Sequence, residues 1–335
     1  MSAIPADAPA MKLVIQIPCF NEEKHLPVTL ADLPRSIPGV DVIEVLVIDD
    51  GSSDRTVEVA REHGVQHVVS FPKNRGLARA FTAGIEACLR AGADIIVNTD
   101  ADNQYVGADI EKLVQPILAN EADMVVGARP IMEIEHFSPI KKALQRLGSW
   151  AVRAASGTTV QDAPSGFRAI SRSAATQLKV FSDYTYTLET IIQAGRKGLT
   201  VVSVPIRTNG DLRPSRLVRS IPAYVRRSLV TIVRIFITYR PFRFLFSLGA
   251  VSFAAGFLVG VRFLVAFVTS DGVAGHTQSL ILAAVLMIMG FMVAISGLLA
   301  DLISVNRRLL EEISSRLWTL EDAVRKANEE RSEKP

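Results

Sequence analysis

Two stretches near the C-terminal end of this chain are too long and too apolar for the core of a soluble domain. Residues 244–268 form one apolar run broken only by Arg262, and residues 279–300 form a second with no charge at all. Each exceeds the roughly 20 residues that an α-helix needs to cross a bilayer. The connection at 269–278 is short, polar and free of Lys and Arg, whereas Arg240 and Arg243 precede the first run and Arg307 and Arg308 follow the second. The excess of cations on one side predicts both ends of the hairpin in the cytoplasm and the short loop outside. Arg262 falls toward the outer end of its span, where it either snorkels or faces a partner helix. Residues 1–10 carry neither a basic segment nor an apolar one, so no secretory signal is expected and the first domain is expected in the cytosol.

The net charge of +3 hides an asymmetry. Residues 1–211 hold 21 Lys/Arg against 25 Asp/Glu; residues 212–270 hold nine Arg and no acid; residues 271–335 hold seven bases and nine acids. The basic block interleaves Arg213, Arg216, Arg219, Arg226, Arg227 and Arg234 with Leu217, Ile221, Tyr224, Leu229, Ile232 and Phe236. That is the composition of helices lying in a membrane interface, and it adjoins the apolar runs. The expected partner is a membrane surface or a lipid phosphate. Nucleic acid is not expected, because no nucleic-acid-binding motif accompanies the block. Beyond Asn306, residues Leu309, Ile313, Leu317, Leu320 and Val324 recur at three- and four-residue spacing among charges. They predict an amphipathic tail helix, either assembling copies of the chain or packed on its own domain.

Residues 12–206 behave differently. Short apolar runs at 13–17, 42–48, 67–70, 95–98 and 124–126 alternate with helical patterns near 22–33, 54–63, 76–91 and 107–119. This alternation predicts an α/β domain with a mostly parallel sheet covered by helices on both faces. With 335 residues, 49% of them apolar, the chain has room for one such core plus the C-terminal region. The expected organisation is a catalytic domain at 1–211, basic interfacial helices at 212–241, two transmembrane helices at 242–304 and a tail helix at 305–335. Cys19 and Cys88 lie in no metal-ligand or redox spacing and read as small buried hydrophobes of a reduced compartment.

In a parallel sheet, ligands bind at the carboxyl ends of the strands. Three acidic or polar clusters fall there: Pro18-Cys19-Phe20-Asn21-Glu22, Asp49-Asp50-Gly51-Ser52-Ser53, and Asn98-Thr99-Asp100-Ala101-Asp102-Asn103-Gln104. Asp100 and Asp102 at a strand end jointly face a hard cation, Mg2+ or Mn2+, which prefers oxygen ligands and shares them with substrate phosphates. Carboxylates such as Asp49 and Asp50 accept hydrogen bonds from a base or ribose; the competing reading is a plain strand–turn–helix junction. Asn74-Arg75-Gly76, with Arg79, opens a helix within reach of phosphates. No Gly-x-Gly-x-x-Gly follows the first strand, so a dinucleotide-binding enzyme is disfavoured.

In this order the segments resemble the family-two glycosyltransferases of the GT-A (Rossmann-like) fold, and within them the dolichol-phosphate mannose synthase and polyprenyl-phosphate glycosyltransferase branch. The likeness runs over about residues 11–217 and draws on Val126-Gly127-Ala128-Arg129, Asp162 to Arg168 and Val204-Pro205-Ile206-Arg207. It implies an inverting, metal-dependent transfer of a hexose from a UDP- or GDP-linked sugar to a dolichyl or undecaprenyl phosphate. It implies Pro18, Phe20, Glu22, Asp49 and Asp50 at the nucleoside, Arg129 at a phosphate, and Asp100, Asp102 and Gln104 at the metal and diphosphate. Asp162 and Ser165 to Arg168 are implied near the donor sugar and acceptor. Arg207, Arg213, Ser215 and Arg216 are implied at the acceptor phosphate, with Asp102, Asp162, Arg207 and Arg213 as the catalytic set. The family's Arg-x-x-Gly-x-Ser-Lys run is replaced here by Asn209-Gly210-Asp211-Leu212-Arg213-Pro214-Ser215-Arg216. Gly166 stands where some relatives carry an Asp suggested as base. A phosphate monoester with a second pKa near 6 is largely dianionic at neutral pH and attacks without a base. Two alternatives share the sequence: a membrane glycosyltransferase that extends a lipid-linked glycan, and a non-catalytic scaffold that binds nucleotide sugars. Processive synthases carry a Gln-x-x-Arg-Trp run, and the Gln145–Trp150 segment does not match it.

Overall fold

The computed structural model describes residues 10–130, 139–180, 186–209, 221–269 and 277–332. Its larger unit is built on a seven-stranded sheet of order β3-β2-β1-β4-β6-β5-β7. The strands are β1 (Lys12–Cys19), β2 (Val42–Asp49), β3 (His67–Ser70), β4 (Ile95–Asn98), β5 (Met124–Ala128), β6 (Arg168–Ser171) and β7 (Val201–Pro205). All neighbours run parallel except β6, which lies antiparallel between β4 and β5. The first five match the expected strands, β3 and β4 to the residue and β1, β2 and β5 with an end extended by one or two residues. β6 and β7 are additional.

The covering helices are α1 (Leu26–Asp32), α2 (Thr56–Glu62), α3 (Leu77–Arg90), α4 (Ile110–Leu118), α5 (Pro139–Ser156), α6 (Arg172–Gln177) and α7 (Thr187–Arg196). Alternation along β1 sorts the two faces. Leu13, Ile15 and Ile17 join Leu26 of α1, Val59 and Ala60 of α2 and Ile110, Leu113 and Val114 of α4 in one core. On the other face, α3 packs against β1 and β2. Residues buried on both faces read as the near-continuous apolar runs seen in β1 and β4. Both cysteines are buried, and burial pushes each thiol up from its ordinary value.

The smaller unit spans Leu229–Arg316. It takes in most of α8 (Ile221–Tyr239), all of α9 (Pro241–Thr269) and the first part of α10 (Thr277–Ser332). Pro241 opens α9, where its missing N–H costs nothing. Two segments are long and apolar enough to cross a membrane, Pro241–Thr269 and Thr277–Asn306. Only 6% and 17% of their most apolar windows are buried, so they are not core helices of a soluble fold. They meet through small residues: a Cβ on Gly290 would stand 2.6 Å from the Gly249 carbonyl oxygen, and Ser252 Oγ donates to Leu286 O at 3.0 Å. Close approach through glycine, with a hydroxyl bonding across, is how apolar helices associate where the hydrophobic effect gives no drive. On α8, Arg226 and Arg234 are exposed beside the exposed Leu229, Val230, Val233 and Ile237. The last span and the tail, expected as separate helices, form one helix of 56 residues, about 84 Å long at 1.5 Å per residue. Composition changes at Asn306, but no Gly or Pro stands there to end the helix.

Candidate active site

The loops after β1, β2 and β3 are tied together at the carboxyl edge of the sheet. Asn21 N–H donates to Ser52 Oγ at 2.9 Å, Ser53 N–H to Asn21 Oδ1 at 2.8 Å and Glu22 N–H to Thr56 Oγ1 at 2.9 Å. Asp49 accepts from Ser52 N–H at 3.0 Å, and Gly51 makes the turn at a φ of +74°. Both oxygens of Asp50 are engaged, by Arg75 N–H at 2.7 Å and Gly76 N–H at 2.9 Å, which fastens the start of α3. Pro18, Glu22, Asp49 and Asp50 are buried here, and Phe20 is 40% exposed. Asp50 therefore has a structural task beside any contact with a nucleoside.

The next loop carries Asp100 and Asp102. Its base is the fully buried Asn98, whose Oδ1 accepts from Gln16 Nε2 at 2.9 Å and whose Nδ2 donates to Gly166 O at 2.9 Å and Tyr186 Oη at 3.0 Å. Thr29 Oγ1 of α1 holds the Ala101 carbonyl at 2.9 Å. Further along, Asn209 N–H donates to Gln104 O at 2.9 Å, Asn209 Nδ2 donates to Asn103 O at 3.0 Å, and Tyr105 bridges Thr208. The strand end after β7 thus latches the acidic loop. Burial, and then the neighbouring Asp102, push the Asp100 carboxyl up to about 6 against the pull of Arg129 and Arg168. Gly166 stands against it: a Cβ there would lie 3.1 Å and 3.2 Å from the Asp100 oxygens and 3.0 Å from Tyr186 Oη.

Two half-buried carboxylates on one short loop are a donor set for a cation. Among the described residues, no group of three or more His, Cys, Asp or Glu is arranged to hold one alone. Asp100, Asp102 and the half-buried Gln104 therefore fit a Mg2+ or Mn2+ that takes its remaining oxygens from a diphosphate and water.

Arg129 and Asp162 come together as a buried pair, Nε–Oδ2 2.7 Å and Nη2–Oδ1 3.1 Å, with side chains 11% and 1% exposed. Arg207 lies on Asp109, Nη2–Oδ1 2.7 Å, and its backbone N–H also donates to Oδ2 at 2.6 Å. Arg168 is fully buried and donates to Thr187 O, Thr190 Oγ1 and Ser165 O, so it reaches the site through the Ser165–Gly166 turn. Arg213, Ser215 and Arg216 lie outside the described residues. Sequence reading missed Asn98, Tyr105, Asp109 and Asn209 as supports of the site. Their hydrogen-bond partners in the site lie between 61 and 106 residues away, a separation that leaves no local pattern.

A model of glycosyl transferase family 2 matches residues 14–178. The UDP-N-acetylglucosamine–dolichyl-phosphate N-acetylglucosaminyltransferase of Methanococcus voltae is 30% identical over 217 residues, 57% of this chain and 83% of that one. The polyprenol monophosphomannose synthase of Mycolicibacterium smegmatis is 27% identical over 221 residues, 62% of this chain and 82% of that one. Among solved structures, glucosyl-3-phosphoglycerate synthase from Mycobacterium tuberculosis, in complex with Mn2+, UDP and phosphoglyceric acid, superimposes with a TM-score of 0.52 at 22% identity, covering 66% of this chain and 78% of that one. That likeness concerns the fold. The chain belongs to glycosyl transferase family 2 and is a glycosyltransferase of the GT-A type, with relatives in the polyprenyl-phosphate branch.

Proposed function

We propose that this enzyme moves a hexose from a UDP- or GDP-linked sugar to a polyprenyl phosphate, dolichyl or undecaprenyl, with inversion at the anomeric carbon. The observation that carries the reading is the half-buried Asp100–Asp102 loop at the sheet's carboxyl edge, in a chain that also carries two helices apolar enough to span a bilayer. The glucosyl-3-phosphoglycerate synthase structure is in complex with phosphoglyceric acid; the two apolar helices favour a lipid-borne phosphate here.

In this reading Pro18, Phe20, Glu22, Asp49 and Asp50 form the nucleoside pocket, with Phe20 stacking on the base. Asp100, Asp102 and Gln104 hold Mg2+ or Mn2+, which when bound neutralises the departing diphosphate. Asp162 fixes Arg129 as a phosphate contact. Arg207, Arg213, Ser215 and Arg216 hold the acceptor phosphate, whose oxygen attacks the anomeric carbon as the bond to the nucleoside diphosphate breaks on the opposite face. The acceptor is dianionic near neutral pH, so positive charge rather than a base is what the site has to supply. Residues 1–211 form the catalytic domain and 212–241 the interfacial helices. Both ends lie in the cytoplasm, and copies of the chain associate through the C-terminal helices. Glycan extension and nucleotide-sugar scaffolding, the two alternatives, have no observation of their own in their favour.

The test is a transfer assay on purified protein, offering each lipid phosphate against UDP-glucose, GDP-mannose and UDP-N-acetylhexosamines, with Mg2+, Mn2+ or chelator. One metal-dependent lipid-phosphate sugar is the expected product. Asp102→Asn is expected to lower turnover about 10³-fold or more while the protein still inserts in membranes. Retained turnover in that variant removes the metal assignment, and measurable sugar-nucleotide binding with no lipid product removes the acceptor assignment.

A further inference from the structure

Helix α5 divides its side chains against the usual sense of a surface helix. The face it buries is small or polar: Gln145, Ser149, Ala151, Val152, Ala155 and Ser156. Its exposed positions, Ala143, Arg146, Leu147 and Trp150, recur at the three- and four-residue spacing of a single helical face. Leu147 is 41% exposed and Trp150 52%. The half-buried Arg153 and Ala154 extend that face by a turn. Charge is divided as sharply. Residues 1–211 hold 25 acids against 21 bases, yet residues 139–161 within them hold Lys141, Lys142, Arg146 and Arg153 and no acid at all.

We infer that this face of α5 docks on an anionic lipid surface. A tryptophan and a leucine on the outward side of a helix whose charges are all basic is the composition of a helix that lies on a membrane. The indole, apolar in its body and polar at its N–H, suits the headgroup level. Charge selects the side that approaches: an anionic surface repels the acidic remainder of residues 1–211 and attracts this one helix. A second copy of the chain fits less well, because pairing this face with itself opposes cation to cation. The apolar segments Pro241–Thr269 and Thr277–Asn306 tether the chain to a bilayer, so even a weak surface contact becomes an intramolecular one. The buried face of the same helix supports the site. Ser149 Oγ accepts from Ala163 N–H at 3.3 Å, and Gln145 Nε2 donates to Asp162 Oδ1 at 3.5 Å. Docking therefore steadies, from behind, the segment that carries the partner of Arg129. The inference rests on the membrane-spanning reading of α9 and the first part of α10 and is independent of the reaction catalysed.

The experiment uses the full chain carrying Trp318→Phe, which leaves Trp150 as its one tryptophan. The protein is placed in vesicles of phosphatidylcholine alone or mixed with phosphatidylglycerol, each with and without brominated acyl chains. Brominated lipid is expected to quench Trp150 several-fold more in the anionic vesicles than in the neutral ones. Raising the salt to about 1 M, where the screening length is ~3 Å, is expected to remove most of that difference. Lys142→Glu with Arg146→Glu is expected to do the same at low salt. Equal quenching in both vesicles, or quenching that the charge variant leaves unchanged, overturns the inference. So does a Trp150 that brominated lipid never reaches: full access to acrylamide then means the face stays in water, and protection from acrylamide means that protein covers it. Alkaline extraction of the same vesicles tests the spans separately. A chain that stays in the membrane with Trp150 unquenched overturns the docking alone, and a chain that is released overturns the tether and the inference with it.

Discussion

Two arginine–aspartate pairs hold the carboxyl edge of this sheet, at nearly the same separation and with different consequences. Arg129 and Asp162 meet at 2.7 Å with both side chains withdrawn from water, 11% and 1% exposed. Arg207 and Asp109 also meet at 2.7 Å, but the arginine is 63% exposed while the aspartate is fully covered. Distance therefore says little about either pair. In the first, each charge depends on the other, because no water can replace a lost partner. In the second, Arg207 can be solvated, and Asp109 keeps Lys112 at 2.9 Å. The first pair is a fixed part of the site; the second fastens a strand end whose neighbour Asn209 latches the Asp100–Asp102 loop.

The largest effect follows from breaking the buried pair on one side only. Asp162→Asn leaves the Arg129 guanidinium buried without its carboxylate and is expected to cost about 3–5 kcal/mol. Thermal unfolding in detergent measures it. The double variant Arg129→Met/Asp162→Leu, which removes both charges, is expected to recover most of that stability and none of the activity. An Asp162→Asn protein as stable as the parent shows that Arg129 draws its compensation elsewhere.

The buried pair also marks where the sequence stops being legible. The strands at 67–70 and 95–98 agree with the structure to the residue because their apolar content is a local signal. Asp100 and Asp102 were legible because a strand end and an acidic doublet are adjacent in sequence. Strand β6 was not: its first residue, Arg168, is charged yet fully buried, which breaks the pattern a strand search relies on. The partners Asp162 and Arg129 lie 33 residues apart, and Asp109 and Arg207 lie 98 apart, so only tertiary structure joins them. The same holds for Asp50, read as a ligand contact, whose carboxylate also fastens the start of α3.

A smaller effect, with a pH signature, is expected of the half-exposed pair. Burial pushes the Asp109 carboxyl up, but the hydrogen bonds from Arg207, side chain and backbone, and from Lys112 outweigh it and hold the group at about 2. An unfolded aspartate titrates near 3.9. The folded value is the lower one, so the pair stabilises the fold above pH ~4, and that contribution fades as pH falls from ~4 towards 2. Arg207→Ala is expected to lower the unfolding temperature at pH 7 by less than Asp162→Asn does, and to converge with the parent near pH 2. A constant gap across that range means Arg207 acts through packing rather than through Asp109.

The smallest effect belongs to a pair whose geometry is as good as either. Arg55 reaches Glu58 at 2.8 Å and Glu62 at 2.9 Å, with side chains 63%, 62% and 56% exposed. Water and salt screen these contacts, and holding three long side chains in place costs rotamer freedom. Arg55 also sits at the N-cap of α2, the end of a helix that disfavours positive charge. Arg55→Ala is therefore expected to leave the unfolding temperature within experimental scatter, with no dependence on ionic strength. If it instead destabilises as much as Asp162→Asn, then burial is not what separates the two regions. The ranking of every arginine at this edge would then have to be rebuilt on geometry alone.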